Sequence, residues 1–81
     1  MLDTEIEAKV KKLIAEKLGL DENRVVDDAS YEFDFGTDPL DLDVLREEFE
    51  KEFDIKISEE ALVSMRTVGL TIEHIEKAMH R

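Results

Sequence analysis

Eighty-one residues set a ceiling of one small domain, residues 1–81, because a chain this short holds enough apolar material for one modest core. Twenty-two acidic residues against 11 basic ones leave a formal charge of −11, which repels phosphate backbones and anionic lipid headgroups and so argues against nucleic acid and membrane as partners. The absence of cysteine excludes disulfides, thiolate nucleophiles and thiolate metal ligands.

The first residues carry Asp3, Glu5 and Glu7 and no apolar run, so neither a secretory signal nor a membrane span is expected, and a cytoplasmic protein is the expectation. From Asp3 to Leu18 the apolar residues Ile6, Val10, Leu13, Ile14 and Leu18 recur at spacings of three and four, which places them on one face of a first helix. Gly19 suits its C-terminal cap. The connection "LDENRVVDDASYEFDFGT" is long for a compact domain, and Leu20, Val25, Val26, Phe33 and Phe35 are its candidates for folding back onto a core. A second helix is predicted to begin at Asp38 as N-cap, with Pro39 at the first helical position, where a missing N–H costs nothing. Leu42, Leu45, Phe49 and Phe53 form its buried stripe, with Leu40 and Val44 near the edges. Asp41, Asp43, Glu47, Glu48, Glu50 and Glu52 charge the rest. Ser58 caps a short helix over residues 59–64, and Thr71 opens a last helix bearing Ile72, Ile75 and Met79, with Gly69 as the break between them. The expected fold is all-α, a small bundle of three main helices and one short one.

Motifs that suggest chemistry fail on context. "DFG" at residues 34–36 matches a kinase metal-binding triplet, but the chain has no room for the other parts a kinase needs. Asp34, Asp38, Asp41 and Asp43 do not follow the ligand spacing of a calcium loop. His74 and His80 lie six residues apart and do not share a helix face as a metal pair would, and neither can be brought beside Ser30, Ser58 or Ser64 to build a catalytic triad. No metal site and no enzyme are expected.

The course of helix, long loop, helix, short helix and helix resembles the acyl carrier proteins over nearly the whole chain, through "IEAKVKKLIAEKLGLDENRVVDDASYEFDFGTDPLDLDVL", "LREEFEKEFDIKISEEA" and "TVGLTIEHIEKAM". In that family a Gly-x-Asp-Ser-Leu motif opens the second helix, and its serine bears the 4′-phosphopantetheine arm whose thiol holds the acyl chain. The matching run here is Gly36, Thr37, Asp38, Pro39 and Leu40. Proline offers no hydroxyl, so the resemblance implies an attachment site that has lost its attachment atom, and no cofactor is expected. The positions that carry outward apolar docking residues in the family are Asp43 and Glu47 here. The resulting expectation is a monomeric, non-catalytic interaction module that offers Asp38, Asp41, Asp43, Glu47 and Glu48 to a basic patch on a protein partner. The alternative is an acyl carrier of fatty-acid, lipid or polyketide-type synthesis with an altered or engineered site. There 4′-phosphopantetheine is held elsewhere or the acyl chain binds without a covalent link, and Thr37 is the one hydroxyl beside the expected position.

Overall fold

The computed structural model describes residues 4–79, so Asp3 and His80 lie outside the described residues. Four helices follow in order: α1 Thr4–Leu18, α2 Pro39–Phe53, α3 Glu59–Ser64 and α4 Val68–Met79, with a short 3-10 turn at Glu22–Arg24. The described residues contain no strand, only an isolated antiparallel bridge between Ser30 and Thr67. Helix α1 packs against both α2 and α4, so the core forms where three apolar stripes meet. Ile6, Val10 and Ile14 come from α1, Leu45, Phe49 and Phe53 from α2, and Val68, Ile72 and Ile75 from α4. Phe49 is 1% exposed, so truncating it to alanine removes a large buried volume at a cost of about 3–5 kcal/mol.

Two of the helices end in the same way. At Gly19, φ 66°, the chain turns left-handed and Leu20 N–H reaches back to the Ala15 carbonyl at 2.8 Å; at Asp54, φ 54°, Ile55 N–H reaches Glu50 at 3.3 Å. Both are Schellman-type caps, and the second forces a non-glycine residue into the left-handed region. The Glu50 side chain also accepts from Ile57 N–H at 2.8 Å, so this acidic residue holds the α2–α3 turn.

The long loop is ordered because it satisfies the start of α4. The first N–H groups of a helix have no partner inside it. Here Val68 N–H donates to the Ala29 carbonyl at 3.1 Å, Gly69 N–H to Asp27 at 2.7 Å, and Leu70 N–H to the Thr67 hydroxyl at 3.2 Å. Tyr31 N–H donates in return to the Arg66 carbonyl at 3.2 Å. Helix α4 therefore begins at Val68 and not at Thr71, and Gly69 does not break it. A side chain at position 69 would place its Cβ 3.0 Å from the Asp27 carbonyl, so the glycine permits the close approach. Thr71 lies inside the helix, fully buried.

The loop's apolar residues divide differently from the expectation. Val25 is buried and Phe35 packs partly against the core, whereas Val26 is half exposed and Phe33 is 85% exposed. Ala29 and Tyr31 take the inward places. Reciprocal bonds between residues 30 and 34 set this alternation. Ser30 N–H donates to the Asp34 carboxylate at 2.6 Å, Phe33 N–H to the Ser30 hydroxyl at 3.1 Å, and Asp34 N–H to the Ser30 carbonyl at 2.9 Å, a tight turn that turns Phe33 to solvent. Lys11 of α1 braces the other end of the loop, 3.1 Å from Asp27 and 3.2 Å from Glu7. Burial pulls the Lys11 pKa down, but its two carboxylate partners outweigh burial and leave it above the ordinary lysine value.

Candidate functional site at the entrance of helix α2

The entrance of α2 is built by local rules. Gly36 adopts φ 63°, a conformation that L side chains rarely take, and turns the chain toward the helix. Thr37 N–H then donates to the Tyr31 carbonyl at 2.9 Å, which ties the turn to the ordered loop. Asp38 closes a capping box: its carboxylate accepts from Asp41 N–H at 3.0 Å, and its own N–H donates to the Asp41 carboxylate at 3.4 Å. Pro39 follows at the first helical position and is exposed.

The geometry presents residue 39 to solvent on a rigid helix start, yet supplies no nucleophile there. Thr37, the nearest hydroxyl in sequence, does not replace it. Its Oγ1 is buried and has no hydrogen-bond partner among the described residues, so it is not open to a reagent in solution. Ser30 and Ser58 use their hydroxyls to accept backbone N–H groups in a turn and a helix cap. Among the described residues no cluster of three or more His, Asp or Glu is placed to hold a metal ion, and no helix is long and apolar enough to cross a membrane.

The acidic residues of α2 do different jobs. Asp38 and Asp41 are committed to the cap, and Asp43 pairs with Arg46 at 3.6 Å. Glu48 is half-buried and leans to α1, 3.8 Å from Lys17, with Glu52 3.6 Å from Lys9 farther along the same side. Glu47 is exposed and has no ion pair among the described residues. The outward ridge opposite Leu45 and Phe49 therefore runs Leu40, Val44, Glu47 and Lys51, at helical offsets of four, three and four. Leu40 is 74% and Val44 48% exposed, so the part of the ridge nearest Pro39 is apolar and not acidic. The spacing of Leu40 and Val44 from the buried stripe carries this information, but it is masked by the surrounding carboxylates.

Beneath the site, Tyr31, Leu42, Leu45, Phe49, Leu62 and Met65 form a closed apolar seam between the loop, α2 and α3. Tyr31 is 3% exposed, and its hydroxyl lies 2.5 Å from the Thr71 hydroxyl, which donates to the Thr67 carbonyl at 2.9 Å. The single proton of Thr71 is thereby used, so Tyr31 is the donor between the two. Burial pushes the Tyr31 pKa up to about 12.

A left-handed glycine, an acidic cap and an exposed first helical residue, set on a small bundle with one long tied-down loop, define a carrier-type domain. The model of the phosphopantetheine attachment site family matches residues 8–75. Curated relatives include the acyl carrier protein of Thermotoga maritima, 44% identical over 75 residues and 93% of each chain. That of Karelsulcia muelleri is 47% identical over 73 residues, 90% of this chain and 88% of its own. The solved structure of the acyl carrier protein from Enterococcus faecalis superposes with a TM-score of 0.81 at 27% identity, covering 96% of this chain and 99% of that one. The chain belongs to the acyl carrier protein family.

Proposed function

We propose that this protein works in the setting of an acyl carrier protein, meeting enzymes of acyl-group metabolism through α2, and that residue 39 itself bears no phosphopantetheine arm. The observation that carries the reading is an intact carrier-type helix entrance, with left-handed Gly36 and the Asp38–Asp41 box, around a proline. Relatives named acyl carrier protein, 44% and 47% identical, support the acyl-metabolism setting over an interaction module in an unrelated one. Pro39 limits what happens there, because forming the phosphodiester to the arm requires a side-chain oxygen. Covalent loading at Thr37 would require the turn to open, since its Oγ1 is buried. Non-covalent acyl binding would require the closed seam beside Tyr31 to part.

The test is intact mass after incubation with coenzyme A and a phosphopantetheinyl transferase. The protein is expected to keep its mass and Pro39→Ser to gain the arm, since the exposed first turn accommodates serine without disturbing the cap. The arm's mass on the unaltered chain, mapped to Thr37 or Ser30, would overturn the unloaded reading. A Pro39→Ser variant that folds and stays unmodified would move the weight to the plain interaction module.

A further inference from the structure

We infer that Tyr31 is a two-position latch. While its hydroxyl is bonded to Thr71, the turn that presents residue 39 is set and the seam between the loop, α2 and α3 is shut; when that bond breaks, both are released together. The latch works in the same way whatever residue 39 carries.

Four contacts leave Tyr31 in different directions. Its carbonyl accepts from Thr37 N–H at 2.9 Å, which hangs the turn into Pro39 from it, and its N–H donates to the Arg66 carbonyl at 3.2 Å, just before α4. Its ring lines the seam with Leu42, Leu45, Phe49, Leu62 and Met65, and meets Phe35 edge-on with the centroids 6.2 Å apart. Its hydroxyl reaches Thr71, which donates in turn to the Thr67 carbonyl at 2.9 Å. Thr67 forms the isolated bridge to Ser30, so the chain of hydroxyls closes a ring that starts and ends on the loop. The α2 entrance, the seam and the first turn of α4 thus depend on the seating of one side chain.

The hydroxyl makes that seating all-or-none. Tyr31 is 3% and Thr71 0% exposed, and the seam side chains beside the Tyr31 ring are apolar. A buried hydroxyl that leaves Thr71 finds no other partner there, and leaving it unpaired costs more than the bond itself contributes. The ring therefore does not slide by degrees: it is seated on Thr71 or withdrawn from the interior. Withdrawal draws the Tyr31 carbonyl away from Thr37 and removes one wall of the seam. Helix α3 has no fully buried side chain and rests on Ala61 and Leu62, so little else holds it once that wall is gone.

Amide hydrogen exchange followed by NMR tests the latch. The reporters are the amides of Thr37 in the turn and of Leu62 and Met65 at α3, whose acceptors include the carbonyls of Tyr31, Ser58 and Ala61. The unaltered protein is compared with Tyr31→Phe, Thr71→Val, the double variant and Ile14→Val. The last removes a methyl group from the core side of α1, where Ile14 is fully buried, and leaves the hydroxyl pair in place. In the unaltered protein the three reporters are expected to share one opening equilibrium, with lower protection than the α1 amides. Tyr31→Phe is expected to speed all three about fivefold. Thr71→Val speeds them at least as much, because it leaves the Tyr31 hydroxyl unpaired, and the double variant exceeds it by nothing, since only one bond is there to lose. Ile14→Val speeds the α1 amides and leaves the reporters nearly unchanged. Thr37 exchange that ignores both hydroxyl variants, or that quickens as much in Ile14→Val, would overturn the inference. So would a Thr37 amide that quickens while Leu62 and Met65 do not. The shared opening is read on the unaltered protein without any variant, and unequal protection of the three reporters there overturns the latch even where a variant does not fold.

Discussion

Tyr31 is the chain's single tyrosine, so its ionisation can be followed by absorbance without interference. Its folded pKa of about 12 exceeds the ordinary 10.0, so the folded form keeps a proton that the unfolded form gives up in that window. Below pH 10 the group leaves stability unchanged with pH; as pH rises from 10 toward 12 it removes up to about 2–3 kcal/mol. Denaturant melts at neutral and alkaline pH are expected to show this fall, and the tyrosinate band of the folded protein to emerge well above that of the unfolded one. Replacing Tyr31 with Phe is expected to cost about 1 kcal/mol at neutral pH, through the lost bond to Thr71, and to remove most of the alkaline fall. A small fall remains, because Lys11 is also held above its ordinary value. A tyrosinate band at the ordinary position in the folded protein would mean that the hydroxyl is wet.

At the scale of elements, the two left-handed caps differ in one respect that can be measured. Gly19 takes φ 66° without a side-chain penalty, whereas Asp54 takes φ 54° with one. Asp54→Gly is expected to stabilise the fold by about 0.5–1 kcal/mol, the relief of left-handed strain less the entropy a glycine adds to the unfolded chain. A thermal melt with no rise would show that the Asp54 side chain has a compensating contact. The entrance of α2 was legible from residue types alone, since an aspartate cap and a following proline act within one turn. The start of α4 was not, because Val68 and Gly69 donate to carbonyls about forty positions earlier in the chain. Gly69 reads locally as a breaker; only the nearness of Asp27 explains it. Phe33, expected to fold inward, faces solvent for a similar reason, as the Ser30–Asp34 turn sets it outward while Tyr31 takes the buried place. The candidate site divides along the same line: the missing hydroxyl at Pro39 is visible in the letters, while the division of the carboxylates among cap, α1 contact and solvent needs coordinates.

Over the whole molecule, 22 acidic residues exceed 11 basic ones, so at least 11 carboxylates remain unmatched even if every Lys and Arg is paired. The pairs that do form, such as Lys9–Glu52 and Lys17–Glu48, are partly exposed and stabilise by little each. Added monovalent salt is therefore expected to raise Tm by a few degrees between low and moderate ionic strength, equivalent to about 1 kcal/mol in a domain this small. Calorimetry at fixed pH checks it; a falling Tm would mean that the α1 lysine pairs outweigh the general repulsion. The zipper between the long loop and the start of α4 also bears on how the molecule assembles. Its partners, Asp27 with Gly69, Ala29 with Val68 and Tyr31 with Arg66, are far apart along the backbone. Closing so large a loop costs entropy that must be met before the contacts reward it. Helices α1 and α2 can pair on their own apolar stripes, but the turn that leads into Pro39 hangs from Tyr31 and is expected to set only once residues 66–69 have docked. The entrance of α2 is thus among the last parts to mature, so a partly folded chain does not yet hold residue 39 on a finished helix start.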